Sequence, residues 1–336
     1  MSLLTFRAIL LASLIALALS LPLVSLARRA GLVDVPGSAP HKQHPSVVPL
    51  AGGPVILLTL ILAALLENIL LLKSIWAILL PGLIIFAFGV VDDRRGLSAP
   101  WKLLGQLLAT GLLIAFGVQI RLFDQYPWLN LAITVLWMVG ITNAYNFVDS
   151  MDGLANGLAC LAAAFFMLVT FDSGQGELSV FSAMLFGACV GVYYFTFPPA
   201  RYFLGDSGAQ LLGFLLAGLA IAYTPLGFLR IQSWYIPILL MGVPIFDTTL
   251  IVISRLRRGK PFYRAGQDHT YHRLVGLGLD HNRAVLTMQF TAGFLGCLAF
   301  ITLSLPILAA NIVFAACLLG GFVCIAILDS QRVWRS

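Results

Sequence analysis

Apolar runs of membrane-spanning length alternate with short polar segments along the whole chain. The pattern predicts about eleven spanning segments, since roughly 20 apolar residues cross a bilayer as a helix. They cover approximately residues 3–27, 47–66, 74–91, 102–120, 129–147, 154–171, 178–197, 207–224, 233–254, 284–304 and 307–328. A spanning segment must satisfy its own backbone polar groups, so helices are the default. The fold class expected is an all-α, polytopic membrane helical bundle. No Pro/Gly/Ser-rich linker, repeat or low-complexity tract divides the chain, so residues 1–336 read as a single integral-membrane domain.

Composition agrees. The chain is 60% hydrophobic and 10% charged, with a mean hydropathy of +0.96. Soluble domains are nearer half apolar and a quarter charged. The first run is followed, not preceded, by Arg28 and Arg29, which favours a retained span over a cleaved leader. The five cysteines fall in apolar runs without metal spacing and read as core residues.

Charge placement sets the orientation. With the N-terminus outside and the C-terminus cytoplasmic, all but four of the 20 basic residues face the cytosol; Arg7, Lys73, Arg121 and Arg230 do not. That bias explains the net charge of +6 and removes the case for nucleic acid. The same choice puts all 5 histidines, and all 14 acids except Glu67, Asp124, Asp172 and Glu177, on the cytoplasmic side. The candidate active-site loops are 28–46, 92–102, 148–154, 197–206 and 255–283.

Four constellations carry chemistry. Asp92-Asp93 ends the third span; adjacent side chains on a helix diverge, and for a lone pair a solvated helix end is a better explanation than a base. Asn143, Asn146, Asp149 and Asp152 recur every third residue in NAYNFVDSMDGLANG. A 3₁₀ segment would align all four, whereas an α-helix would send the two pairs to different partners. A helix cap needs one such residue, not four. In FPPARYFLGDSG, Asp206 and Ser207 precede an apolar helix and suit either an N-cap or a Mg²⁺ site. The long loop 255–283 carries His269 and His272, together with Arg264 and Arg273, and pyrophosphate binding explains it better than zinc. Two weaker signals remain. Asp247 lies inside the ninth span, as a site residue or a paired structural acid. His41, Lys42 and His44 before Ala51-Gly52-Gly53 are phosphate-compatible.

These motifs, in this order from about Asp34 to Asn282, resemble the polyprenyl-phosphate N-acetylhexosamine-1-phosphate transferases. The resemblance implies a UDP-N-acetylhexosamine and a polyprenyl phosphate as substrates, polyprenyl-pyrophosphoryl-sugar and UMP as products, and Mg²⁺ as cofactor, with Mn²⁺ as a substitute. It implies that Asp206 binds the metal, assisted by Asn146, and that Asp92 and Asp93 deprotonate or position the lipid phosphate. Asp149 and Asp152 match residues at the sugar–phosphate and nucleotide, Phe203 an aromatic that stacks on uracil, and His269 and His272 the histidine loop at the pyrophosphate. Lys42, Asn143, Arg264 and Arg273 complete the candidate substrate-binding set. The implied setting is the bacterial cytoplasmic membrane, with the site facing the cytosol; a homodimer is one assembly compatible with the chain, and the sequence does not fix the oligomeric state. Tyr271 stands where many relatives have histidine, and Thr196 where many have Asn. The muramoyl-pentapeptide branch, with ten spans and three adjacent histidines, fits less well than the branch that starts O-antigen, teichoic-acid or similar glycans. A secondary transporter, the alternative from another class, has only Asp247 in its favour.

Overall fold

The computed structural model describes residues 3–37, 46–224, 233–259, 266 and 268–330. Lys42 and Arg264, and with them His41 and His44, lie outside the described residues. The described chain is mostly helical. Its elements are α1 (Leu3–Arg29), β1 (Val33–Asp34), β2 (Val48–Pro49), α2 (Gly52–Leu66), α3 (Lys73–Arg95), α4 (Ala99–Ala115), α5 (Pro127–Val148), α6 (Leu154–Asp172), α7 (Gly176–Thr196), α8 (Gly205–Ala222), α9 (Ile236–Leu240), α10 (Gly242–Arg257), α11 (Thr270–Gly276), α12 (His281–Thr302) and α13 (Ile307–Leu328).

Among the described residues, 8 helices are long and apolar enough to cross a membrane: α1, α3, α5, α6, α7, α8, α12 and α13. The protein is a multi-pass helical membrane protein. Helices α2 and α4 are apolar but shorter, at 15 and 17 residues. The predicted segment 233–254 is two helices, α9 and α10, which share Met241 as end and start. Pro237 and Pro244 sit in their first turns, where a missing N–H costs nothing. The predicted start at 47 is taken by a short antiparallel pair, with Val33 opposite Pro49 and Asp34 opposite Val48.

The chain forms two compact units, residues 1–227 and 228–336. In the first, α8 is the central element. It is buried over nearly its whole length and packs against α3, α5, α2 and α6. The start of α8 meets α3 almost backbone to backbone. A Cβ added at Gly89 would lie 2.4 Å from Ser207 Cα and 2.8 Å from Ser207 N. Only glycine lets α3 approach this closely, and the approach brings Asp92 and Asp93, one turn later, to the start of α8. The second unit packs α12 against α9, α10, α11 and α13, with Leu250, Ile325 and Leu328 forming a small apolar core.

Replacing Gly89 with Ala should therefore lower stability by about 1–3 kcal/mol, the usual cost of forcing a methyl into a packed contact. Gly111, in α4, has nothing within 4 Å of its added Cβ, and Gly111→Ala should be neutral or stabilising by up to about 1 kcal/mol. Thermal unfolding of both variants in detergent checks this. An equal, small effect at the two positions would show that the α3–α8 contact is not tight.

Candidate active site

The site begins at the end of α3. Asp92 is buried, and its Oδ1 accepts from Leu97 N at 2.6 Å, which fixes the chain as it leaves the helix. Its Oδ2 forms an ion pair with Lys102 Nζ that is not a directed hydrogen bond. Lys102 Nζ also donates to Asp206 Oδ2 at 3.1 Å. One ammonium thus stands between a carboxylate of α3 and a carboxylate of α8.

Asp93 does a different job. Its Oδ1 accepts from Asp206 N at 2.7 Å and its Oδ2 from Ser207 N at 3.2 Å. A helix start presents unsatisfied amides and a partial positive charge, and a carboxylate answers both. The N-cap of α8 is Leu204, with no side-chain cap. The two readings of Asp206 are thereby separated: capping comes from α3, and the Asp206 carboxylate is left for other partners. Gly205 is obligatory here, with φ +71° and an added Cβ 2.7 Å from Asp93 Oδ2.

Asp206 Oδ1 accepts from Asn146 Nδ2 on α5. Asn143, one turn earlier, faces elsewhere. It exchanges hydrogen bonds with Gln106 of α4 at 2.8 and 3.2 Å, and Gln106 Nε2 also donates to Gln210 Oε1 at 3.1 Å. The stretch is α-helical to Val148 and then breaks. The three-residue repeat thus follows neither expected geometry: the helix does not tighten, and Asn143 and Asn146 themselves face different partners. Asp149 ends α5. Asp152 Oδ2 accepts from Ala200 N at 3.0 Å, just after Pro198-Pro199. Phe203 is half-buried, and its backbone joins that turn to Pro49 and Gly52, at 2.9 and 3.1 Å. The Ala51-Gly52-Gly53 stretch serves close packing, since an added Cβ on Gly53 would lie 2.7 Å from Gly208 N.

Five acids, Asp92, Asp93, Asp149, Asp152 and Asp206, and one lysine make up this cluster. Asp149 registers the field: burial, then Asp206, Asp93 and Asp152, hold its carboxyl well above the usual carboxylate range. A hard divalent cation suits such a donor set. Among the described residues no group of three or more His, Cys, Asp or Glu could hold a metal ion. Mg²⁺, however, takes one or two protein carboxylates and completes its shell with water and substrate phosphate. Lys102 places a positive charge between Asp92 and Asp206. Asp206 and Asn146 are the residues that would hold Mg²⁺.

The histidine loop belongs to the second unit. Asp247 Oδ2 meets His269 Nδ1 at 2.9 Å, and Asp247 Oδ1 accepts from Thr270 N at 2.6 Å. Tyr271 Oη and His272 Nε2 are 2.6 Å apart. Burial, then the neighbouring His269, brings the His272 pKa down to about 4, against a smaller upward pull from Asp247 and Asp268. His272 is an uncharged imidazole at neutral pH. Arg273 is buried and turned inward. It donates to Asp268 O at 3.0 Å, Leu328 O at 3.0 Å and Asp329 Oδ1 at 3.2 Å. Asp329 also pairs with Arg257 and Arg258, and Asp268 with Arg255. Burial raises the pKa values of both acids, but Arg255 for Asp268, and Ser254 followed by Arg273 and Arg258 for Asp329, outweigh it and hold them below the usual range.

Lys102 and Gln106 are the site residues the sequence reading passed over. Lys102 was counted among orienting charges and Gln106 lay inside an apolar run. Their four-residue spacing puts both on one face of α4, and a polar pair on an apolar helix is the available signal.

Asp149 provides a pH test. The unfolded chain releases this proton in the ordinary carboxylate range, while the fold retains it to higher pH. Its contribution to stability is full below that range and is lost as pH rises through the folded value. Asp149→Asn carries no charge, so its melting temperature relative to the parent should climb as pH rises above the ordinary carboxylate range. A difference independent of pH would show that Asp149 is not held protonated.

Comparison with known proteins covers this same region. The sequence profile of glycosyl transferase family 4 matches residues 75–224, from α3 to just beyond α8. The chain is 31% identical over 303 residues to the probable undecaprenyl-phosphate N-acetylglucosaminyl 1-phosphate transferase of Bacillus subtilis (strain 168), covering 87% of this chain and 83% of the relative. It is 30% identical over 310 residues to the decaprenyl-phosphate N-acetylglucosaminephosphotransferase of Mycobacterium tuberculosis (strain ATCC 25618 / H37Rv), covering 81% and 76%. A phospho-N-acetylmuramoyl-pentapeptide-transferase of Desulfotalea psychrophila is 28% identical over 299 residues, covering 77% and 80%. With Asp92, Asp93, Asn146 and Asp206 gathered at one helix junction inside the matched region, the chain belongs to glycosyl transferase family 4, among the polyprenyl-phosphate N-acetylhexosamine-1-phosphate transferases.

Proposed function

We propose that the protein transfers GlcNAc-1-phosphate from UDP-GlcNAc to a polyprenyl phosphate, undecaprenyl phosphate in the simplest case, and releases UMP. The P–O bond to UMP breaks and a P–O bond to the lipid phosphate forms, giving polyprenyl-pyrophosphoryl-GlcNAc. The reaction belongs at the cytoplasmic face of the bacterial inner membrane, as the first membrane step of an envelope glycan. The named relatives with N-acetylglucosamine donors are the more similar ones, which places the muramoyl-pentapeptide substrate second.

The observation that supports this reading is the meeting of Asp92, Asp93, Lys102, Asn146 and Asp206 at the α3–α8 junction. Transfer between two anions needs neutralisation and alignment more than covalent assistance. Bound Mg²⁺ supplies the neutralising charge at the transferring phosphate. Asp206 and Asn146 orient the metal side of the site, and Asp93 keeps Asp206 in place by holding the first amides of α8. Asp92, through Lys102, adjusts the charge beside it and is the candidate base for the lipid phosphate. Burial and the neighbouring carboxylates hold the Asp149 carboxyl above the usual carboxylate range, which lessens the repulsion that an incoming phosphate meets. Asp152 and Phe203 hold the 198–203 turn, where the uracil is expected. His269 and His272 keep the phosphate role that the family resemblance assigns to them.

Purified protein given UDP-GlcNAc and undecaprenyl phosphate should release UMP only when Mg²⁺, or Mn²⁺ in its place, is present. No release across a panel of UDP-N-acetylhexosamines would overturn the reading. Asp206→Ala should lower turnover by about 10³-fold and should not recover with added Mg²⁺. Recovery at high Mg²⁺ would mean that the metal has other protein ligands.

A further inference from the structure

Asp247 is an acid inside an apolar segment, and nothing derived above uses it. It lies in α10 and is 0% exposed. An ionised carboxylate in such a place needs strong partners. It has two, one for each oxygen: His269 Nδ1 and Thr270 N. Both belong to the start of α11, where His269 is the N-cap. The imidazole is also held from its faces. It stacks with the Tyr271 ring, centroids 6.1 Å apart and planes at 18°, and lies 5.8 Å from the His272 ring.

The donor and acceptor roles follow from elementary chemistry. A backbone amide can only donate, so Asp247 Oδ1 must accept. An ionised carboxylate has no hydrogen to offer through Oδ2 either. The arrangement is therefore satisfied only when His269 carries its hydrogen on Nδ1. We propose that Asp247 is a positioning residue that locks the ring plane and tautomer of His269, so that Nε2 is the nitrogen left to meet a substrate phosphate. The phosphate contact rests on the transferase reading above; the tautomer lock does not.

The amide isostere separates positioning from simple structural support. In Asp247→Asn the amide oxygen must face Thr270 N, because that group cannot accept. The amide nitrogen then faces His269 Nδ1, which must accept, and the ring hydrogen moves to Nε2. Size and shape hardly change while the tautomer inverts. Asp247→Glu keeps two acceptor oxygens and should restore the parent tautomer.

The test is ¹⁵N NMR of the full-length, ¹⁵N-histidine-labelled protein in detergent, at a pH where its imidazoles are neutral. The His269 signal is identified by its loss in His269→Gln. The parent and Asp247→Glu are expected to show the Nδ1–H form and Asp247→Asn the Nε2–H form. UMP release by Asp247→Asn should fall about 10- to 100-fold, the usual cost of losing an outer partner of a working histidine, with partial recovery in Asp247→Glu. An Nε2–H ring in the parent, or an unchanged tautomer in Asp247→Asn, overturns the inference. If Asp247→Asn does not fold, the parent spectrum decides alone. A parent that shows Nδ1–H but releases no UMP would sink the transferase reading and leave the tautomer lock supported; normal turnover with an Nε2–H ring would do the reverse.

Discussion

The start of α8 is held by a carboxylate that belongs to another helix. Asp93 takes the amides of Asp206 and Ser207, and much else in the first unit depends on that grip. It spares the Asp206 side chain from capping its own helix. It sets Asp206 within reach of Lys102 and Asn146. It also requires a glycine at 205, which supplies the positive φ and leaves room for the Asp93 oxygens. Without it, the amides of a buried helix end would need another acceptor, and the acid beside them would be the nearest one.

Backbone proximity makes the grip possible. Gly89 brings α3 onto Ser207, and Gly53 brings the start of α2 onto Gly208. Carboxylates from α3 and α8, an ammonium from α4 and an amide from α5 then converge on one small volume. Convergence of like charges is expensive unless a cation joins them. Lys102 is the cation that the chain supplies itself, and it pairs with both Asp92 and Asp206.

Much of this was legible in the chain, for identifiable reasons. Long apolar runs fix helix positions well: the predicted spans 129–147 and 154–171 correspond to α5 over 127–148 and α6 over 154–172. The candidate carboxylates stood out because acids at the ends of apolar runs need a cause. What stayed hidden was tertiary. Nothing local distinguishes Asp93, a cap for α8, from Asp92, an ion-pair partner, since neighbours in sequence differ only in what the fold brings to them. Lys102 was masked by the many orienting basic residues. The two-residue pairing of Val33–Asp34 with Val48–Pro49 is too short to leave a periodic signal. The break at Met241 was hidden because apolar residues continue through it. Arg273 read as a phosphate ligand by its place in a basic loop, and its buried contacts with Asp329 and Leu328 depend on α13, more than 50 residues away in sequence.

The central claim is that a divalent cation binds at the α3–α8 junction, in the cradle where Lys102 now stands between Asp92 and Asp206. Anomalous scattering from crystals of the protein grown with Mn²⁺ and UDP-GlcNAc tests it directly. The expected result is a manganese peak within about 2 Å of an Asp206 carboxylate oxygen, with Asn146 beside it and the peak lost in Asp206→Ala. A manganese peak away from Asp206, or one that persists in Asp206→Ala, would contradict it.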